Sequence, residues 1–252
     1  VFSSNIIIPA YHAQDNKRLE VYDTASDLAI ADFDNYKMII APQIARKDVY
    51  ETFPTFSADG NWVYYCASPA VELPDSISLC RIAFDAGKGE WGNRIDTLWN
   101  AEEHNASVCF PKASLDGRYL LYSVADYGTF PIWHKETDLK LMDLQTGEID
   151  PLTAVNSDRS DTYHSWSSNS RWFVFASKRG DGQYGKPYFS YIAPDGTAGK
   201  PFVLPQKDPE HYDNTFKSYN IPELSSTSIP FDATDIRRVY QKTKVEEFTP
   251  SR

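Results

Sequence analysis

Five histidines, His12, His104, His134, His164 and His211, stand in or beside long loops of this 252-residue chain. Imidazole titrates near neutral pH and can ligate a metal, hold an anion or move a proton. Aromatic residues share those loops: Tyr11, Tyr127, Phe130, Trp133, Tyr184 and Tyr212. Such rings give large contact area at low entropic cost. Lys178 and Arg179 add two adjacent cations at the start of one loop. His164 is the sharpest case. It follows Tyr163 where the equivalent segments carry Pro54 after Phe53 and Pro111 after Phe110. There it could ligate a metal or bind an anion, although a histidine hydrogen-bonded to a neighbouring loop is the commoner situation. Lys217 takes the same slot in a fourth segment.

Carboxylates gather as well. Asp158, Asp161, Asp208, Glu210 and Asp213 lie in the loops before two expected strands. Hard oxygen ligands of this kind suit Ca²⁺, with Asp158, Asp161 and Asp213 as the candidates, but the spacing matches no known calcium loop. The cation rests on ligand type alone.

Other motifs fail on context. Gly180-Asp181-Gly182-Gln183-Tyr184-Gly185 matches G-x-G-x-x-G, but the next expected element is a strand at Tyr188, whereas a dinucleotide site needs a helix there. A serine-hydrolase elbow needs G-x-S-x-G, and none is written in the chain. The three cysteines give no zinc or haem-attachment spacing. Cys66 and Cys80 fall on neighbouring strands. They are read as buried thiols, with a cross-strand disulfide as the alternative.

The elements that must position these residues come from one phrase written three times. Phe53-Pro54-Thr55-Phe56-Ser57-Ala58-Asp59-Gly60-Asn61-Trp62 returns at Phe110–Tyr119 and at Tyr163–Trp172, 57 and then 53 residues further on. A period near 50 points to propeller blades. Each phrase reads as a strand, a two-residue turn at Asp59-Gly60, Asp116-Gly117 or Asn169-Ser170, and a second strand buried on both faces. Third strands are expected at 78–82, 139–144 and 188–192, and a fourth at 202–204. Four antiparallel strands per repeat make a propeller blade.

The expected division is a propeller over 1–230. It comprises a partial blade at 1–50, blades at about 51–106, 107–160 and 161–212, and a lone first strand in 213–224 around Phe216. In the partial blade Val1–Ser4 is the second strand, Leu19–Asp23 the third and Met38–Ile40 the fourth. The lone strand could complete the partial blade and close the ring; the favoured expectation is that residues preceding Val1 supply at least one more blade, and they could carry a membrane anchor. Residues 231–252 read as a helix capped by Asp232 or Thr234, packed on the propeller through Ile236, Val239 and Tyr240, and then an extended tail. The long connections leave the array on one face, the usual place for recognition on a rigid scaffold. The opposite face is expected to consist of short turns.

A net charge of −10 argues against nucleic acid or an anionic membrane surface as the main partner. No apolar run is long enough for a membrane span.

The repeated aromatic-Pro-x-aromatic-Ser-x-Asp-Gly-x-aromatic phrase resembles the TolB-like propeller repeat, a WD40-like (PD40-type) blade without the WD dipeptide. The stretches Tyr163–Trp172 and Val124–His134 are similar to those of Bacteroidetes cell-envelope proteins. The resemblance covers nearly the whole chain. It implies an extracytoplasmic propeller, periplasmic or associated with the outer membrane, and supplies no activity. Some members carry haem before the propeller; the attachment motif is absent from this sequence, so haem is not carried over. The expectation is a non-enzymatic binding or scaffold propeller recognising a protein or small ligand. Its site is expected around Tyr127, Phe130, Trp133, His134, Tyr163, His164, Lys178, Arg179, His211 and Tyr212. Two alternatives stand beside it: a metal-dependent enzyme of the polysaccharide-lyase kind at the channel mouth, and an accessory to a c-type cytochrome system.

Overall fold

Runs of Val, Tyr, Phe and Leu with period-two alternation form strands because branched and aromatic side chains pack well on a pleated surface. A computed structural model of the chain describes residues 1–7, 12–13, 19–20, 23–69, 77–242 and 247–251. The partial blade uses β1 (Phe2–Ile7), β4 (Asp23–Asp32) and β5 (Lys37–Ile40), with β2 (His12–Ala13) and β3 (Leu19–Glu20) as a separate antiparallel pair. The first full blade is β6 (Val49–Phe56), β7 (Trp62–Pro69), β8 (Ser78–Asp85) and β9 (Glu90–Trp99). A short helix, α1 (Ala101–His104), leads to the second: β10 (Ser107–Ala113), β11 (Tyr119–Ala125), β12 (Asp138–Asp143) and β13 (Ile149–Asp150). The third is β14 (Asp161–Trp166), β15 (Trp172–Ser177), β16 (Lys186–Tyr191) and β17 (Phe202–Val203). The helix α2 (Ala233–Tyr240) and strand β18 (Thr249–Ser251) follow. In every full blade the strands pair in chain order, all antiparallel. Three four-stranded sheets of this kind are propeller blades, and a fourth four-stranded sheet is built from β1, β4, β5 and β18.

Three apolar cores fill the spaces between successive blades. Leu28 and Ile30 of β4 meet Val63, Tyr65 and Ile82. Tyr64, Cys66 and Leu79 meet Val108, Leu120 and Tyr122. Tyr119, Leu121 and Leu141 meet Trp166, Phe173 and Phe175. The second strands β7 and β11 therefore each serve two interfaces, one per face, which explains why they are apolar on both. The cysteines show the same alternation. Cys66 pairs with Leu79 and Cys80 with Tyr65, so the two sulfurs enter different cores, and all three cysteines are free and buried. The disulfide alternative is overturned by this register.

Each inner strand carries a one-residue bulge. The register slips between Thr52 and Thr55, Cys109 and Lys112, and Thr162 and Ser165. At the slip Phe53, Phe110 and Tyr163 take φ of 51°, 55° and 51°. Positive φ is costly for a bulky side chain and persists where the surroundings fix it. Here it lines up three rings, Phe53 against Phe110 at 4.3 Å and Phe110 against Tyr163 at 5.0 Å between centroids.

Several expectations change. The third strand of the partial blade is Asp23–Asp32 rather than Leu19–Asp23; Leu19–Glu20 pairs with His12–Ala13 instead. Its Ala, Ser and Asp residues carry little β signal, and pairing with β1 and β5 makes it a strand. The lone first strand around Phe216 does not form. Phe216 is 82% exposed, and the repeat resumes five residues later at Ile221-Pro222, where Ile221 takes φ 51°. The hydrogen bonds fix this alignment. Val108 and Asp161, two residues before their bulges, donate to the carbonyls of Ile77 and Thr137, and Tyr219 donates likewise to Gly185. The turns are wider than two residues. Gly60, Gly117 and Ser170 donate back to Ser57, Ser114 and Ser167 at 3.0 Å and alone carry positive φ. Asp59 acts through its carboxylate, which accepts from Ser57 and from the Asn61 backbone.

The C-terminal helix is capped by Asp232, whose carboxylate accepts from the Thr234 and Asp235 backbones. It buries none of its residues: Ile236, Val239 and Tyr240 all face solvent. The tail is not loose. β18 lies parallel to β5, Phe248 packs on Phe33 and Tyr36, and Thr249 donates to the Tyr36 carbonyl. Among the described residues no helix is long and apolar enough to cross a membrane.

Candidate functional site

The connections leaving β11, entering β14 and leaving β15 meet at one end of the second and third full blades. Backbone bonds tie them together: Asp161 to Thr137, Lys178 to Ser160, and Tyr219 to Gly185. Two cavities open among them. One of about 280 Å³ is lined by Ile132, Lys135, Arg159, Ser160, Lys178, Asp181, Gly182 and Gln183. The other, of about 450 Å³, is lined by Tyr184, Lys186, Tyr212, Asp213 and Phe216 among others. Asp181 and Gln183 border both.

The loop between the cavities, Gly180–Gly185, is a hairpin connection, as its glycines suggested. Gly180 and Gly182 take φ of 98° and 72°, and a strand follows. The Asp181 carboxylate holds it, accepting from the backbones of Gln183 and Tyr184 and pairing with Lys186 at 3.2 Å. These hydrogen bonds and the Lys186 ammonium keep the Asp181 carboxyl below its ordinary range, although its partial burial works against them.

The expected site residues divide sharply. Trp133 is 46% exposed, and the Lys178 ammonium lies 5.1 Å from its ring centroid. Lys178 itself is only 8% exposed. His211 and Tyr212 are half-buried: His211 Nε2 bonds the Tyr219 hydroxyl at 3.1 Å, and the Tyr212 hydroxyl donates to Leu204. Phe130 is half-buried and Tyr127 is buried edge-on against His134. His134 is buried, with Nδ1 3.2 Å from the Glu136 carboxylate. His164 is buried on an inner strand, donating from Nε2 to the Leu121 carbonyl of the neighbouring blade at 2.9 Å. Burial pushes its pKa down to about 3, so it is a neutral structural imidazole. Tyr163 belongs to the column of rings in the array. Arg179 is spent on Val155, Ser177 and Asp161.

The calcium candidates do not converge. Asp161 is fully buried, one oxygen taken by Arg179 and the other by the backbone and hydroxyl of Ser157. Asp158 and Asp213 are exposed. Among the described residues no three His, Cys, Asp or Glu side chains gather as a metal site. Tyr11 lies outside the described residues, as does most of the loop from Asn5 to Lys17 and of that from Ser68 to Ser76.

Among the residues missed by sequence reasoning are Phe216, Lys135 and Arg159. Phe216, taken for an inner-strand ring, is an exposed anchor with Tyr184 edge-on at 5.9 Å. Arg159 stands in an irregular connection and had no pattern to mark it.

The turn face also differs from expectation, with clefts of about 500 and 440 Å³ between successive blades. Most of their charges are already used: Arg81 on Asp96, Asp59 on Ser57 and Asn61, Lys88 on Asp85. The cavities at the other end hold Lys135 and Arg159, whose head groups have no ion-pair partner among the described residues, which makes them the stronger site.

No family model matches the chain, and no curated protein does. Solved structures do resemble it. A puromycin-hydrolysing peptidase of Mycobacterium tuberculosis is similar at 13% identity, with a TM-score of 0.49, over 80% of this chain and 30% of its own length. Prolyl oligopeptidase B of Galerina marginata is similar at 11% identity, with a TM-score of 0.44, over 81% and 31%. The β-propeller domain of the trilobed protease of Pyrococcus furiosus is similar at 16%, with a TM-score of 0.38, over 64% and 44%. The chain thus spans about a third of the length of the two peptidases. Their activities are their own. On the evidence of its own blades, bulges and interblade cores, this chain is an all-β propeller.

Proposed function

We propose that the chain is a non-enzymatic binding or scaffold propeller that docks a polypeptide partner on its long-loop face. The observation behind this reading is the pair of adjoining cavities that share Asp181 and Gln183, with exposed Trp133 beside one and Phe216 lining the other. Rings held at the edge of polar cavities are the kind of anchor that dominates protein interfaces, where truncation typically loses about 2 kcal/mol or more. The rigid blades position them, and the loops carry them. The TolB-like character of the repeat phrase is the support for placing the protein outside the cytoplasm, in the bacterial envelope.

The test is a double variant, Trp133→Ala with Phe216→Ala, compared with Leu115→Ala on the turn face. A partner recovered by the native chain should be lost from the double variant and kept by Leu115→Ala. Both variants should melt within a few degrees of the native chain, because exposed substitutions rarely move stability by more than about 0.5 kcal/mol. Retention of the partner by the folded double variant would move the docking face elsewhere.

A further inference from the structure

The cavity of about 280 Å³ concentrates positive charge in an acidic protein. Lys135, Arg159 and Lys178 come to it from three separate connections, in a chain of net charge −10. The Lys135 and Arg159 head groups make no hydrogen bond or ion pair with the described residues. Asp181, the acid at the same cavity, already pairs with Lys186. Lys178 is only 8% exposed, with its ammonium 5.1 Å from the Trp133 ring centroid. Gly182 leaves the room that Arg159 occupies: a Cβ there would stand 3.1 Å from the Arg159 Nε. The guanidinium is therefore packed against the cavity wall rather than trailing in solvent.

We propose that this cavity receives a carboxylate carried by an acidic peptide segment of the partner, which rests on the reading of the long-loop face as the docking surface. Arg159 offers a planar fork that matches a carboxylate, with Lys135 and Lys178 flanking it as point charges. Asp181 sets the charge of the ligand. A carboxylate at the cavity edge repels a dianionic phosphate more strongly than a monoanion, so the single charge fits better. Trp133 sets its size. The half-exposed ring beside Lys178 has an apolar face that a free small acid would leave uncovered and a neighbouring peptide residue would cover.

A fluorescein-labelled hexapeptide alternating Glu with Leu is the probe, with its Gln counterpart as control, read by anisotropy on the full chain. The acidic peptide should bind at least about tenfold more tightly than the Gln peptide, and weaken as salt rises because part of the attraction is between accessible charges. Arg159→Gln should lose about tenfold, and Arg159→Gln with Lys135→Gln more, with melting temperatures unchanged. Arg159→Lys should recover only part of the loss, since it keeps charge without the fork. Equal binding of the two peptides, or native affinity in the double Gln variant, overturns the proposal. Displacement by inorganic phosphate beyond that by chloride at matched ionic strength also overturns it, reassigning the cavity to phosphate. Failure here leaves a partner whose capture depends on Trp133 and Phe216 untouched. Loss of that dependence removes the docking face itself.

Discussion

His164 and Glu51 are two buried titratable side chains on inner strands, and they respond to pH in opposite directions. His164 is held neutral, its pKa lowered from 6.5 to about 3 by burial. The unfolded chain takes up a proton that the fold refuses, so the His164 contribution is constant above pH 6.5 and lowers stability as the pH drops from there towards 3. Glu51 is 1% exposed, and its Oε2 is buried without a partner. Burial and the nearby Asp27 charge raise its pKa from 4.5 to about 8. The fold prefers the protonated acid, so stability falls as the pH rises from 4.5 to about 8. The contrast with Asp161 explains why. Glu51 and Asp161 pair with Ala67 and Ser177, two residues before their bulges, but Arg179 answers Asp161 where the first full blade has Pro69. Glu51→Gln should therefore raise the melting temperature at pH 8.5 and leave it nearly unchanged at pH 4.5, a gain on the order of 1–3 kcal/mol for relieving an unsatisfied buried group. His164→Gln, whose amide can still reach Leu121, should flatten the decline between pH 6.5 and 4.5. Thermal melts across that range check both, and parallel curves for native and variant chains would show that these groups do not titrate as described. The sequence offered a hydrogen-bonded His164 as the commoner situation, but its partner and the burial of Glu51 were not legible. Whether a histidine after Tyr163 meets solvent or the Leu121 carbonyl depends on a residue 43 positions away.

At the scale of the element, the repeat phrase was informative and its turn chemistry was not. Strands, their order and their doubly buried second members followed from alternation. The turns were read as two-residue hairpins because Asp-Gly is the usual signal for them, whereas the left-handed residue here closes a longer loop anchored by a serine hydroxyl. Ser57, Ser114 and Ser167 each accept from the backbone five residues on, at Trp62, Tyr119 and Trp172. Gly60→Val and Gly117→Val should each cost about 1–2 kcal/mol, chiefly for a β-branched side chain at positive φ. Ser170 behaves differently from what its letter suggests. It is buried, already left-handed at φ 56°, and its hydroxyl accepts from the Asp116 backbone of the neighbouring blade at 2.9 Å. Ser170→Ala keeps the strain and loses that bond, for a cost of about 1 kcal/mol. Denaturant unfolding of the three variants checks this, and a neutral Ser170→Ala would show that the interblade bond contributes nothing. The same attention to letter over geometry misplaced the fourth inner strand. Phe216 looked right because it is aromatic, but the position is marked by the left-handed residue two places after the inter-loop hydrogen bond, which is Ile221.

For the whole molecule, the kind of blade was visible in the period, while the charge-bearing cavity was not. Lys135, Arg159 and Lys178 belong to three connections without repeat character, and only the stacking of the second blade on the third brings them to one place. The tail was equally hidden, since three residues pairing with a strand far away leave no periodic trace. Deleting residues 247–252 should uncover the outer edge of β5. Amide exchange at Met38–Ile40 should then accelerate while the third full blade stays protected, and the shortened chain should self-associate more readily, as open strand edges do. Unchanged exchange at those three amides would mean that the tail does not stay docked.

That parallel pairing also sets an order of events during synthesis. Lys37 and its partner Thr249 are separated by roughly 210 residues of chain, which a ribosome adds at about 5–20 residues per second, so on the order of 10–40 s pass between the making of one and the other. Blades made in between can fold as they emerge, since each needs only its own hairpins and its predecessor's flank. The sheet of β1, β4 and β5 has to wait for β18. Its open margin over that interval is where a nascent chain of this protein is most vulnerable to the wrong neighbour.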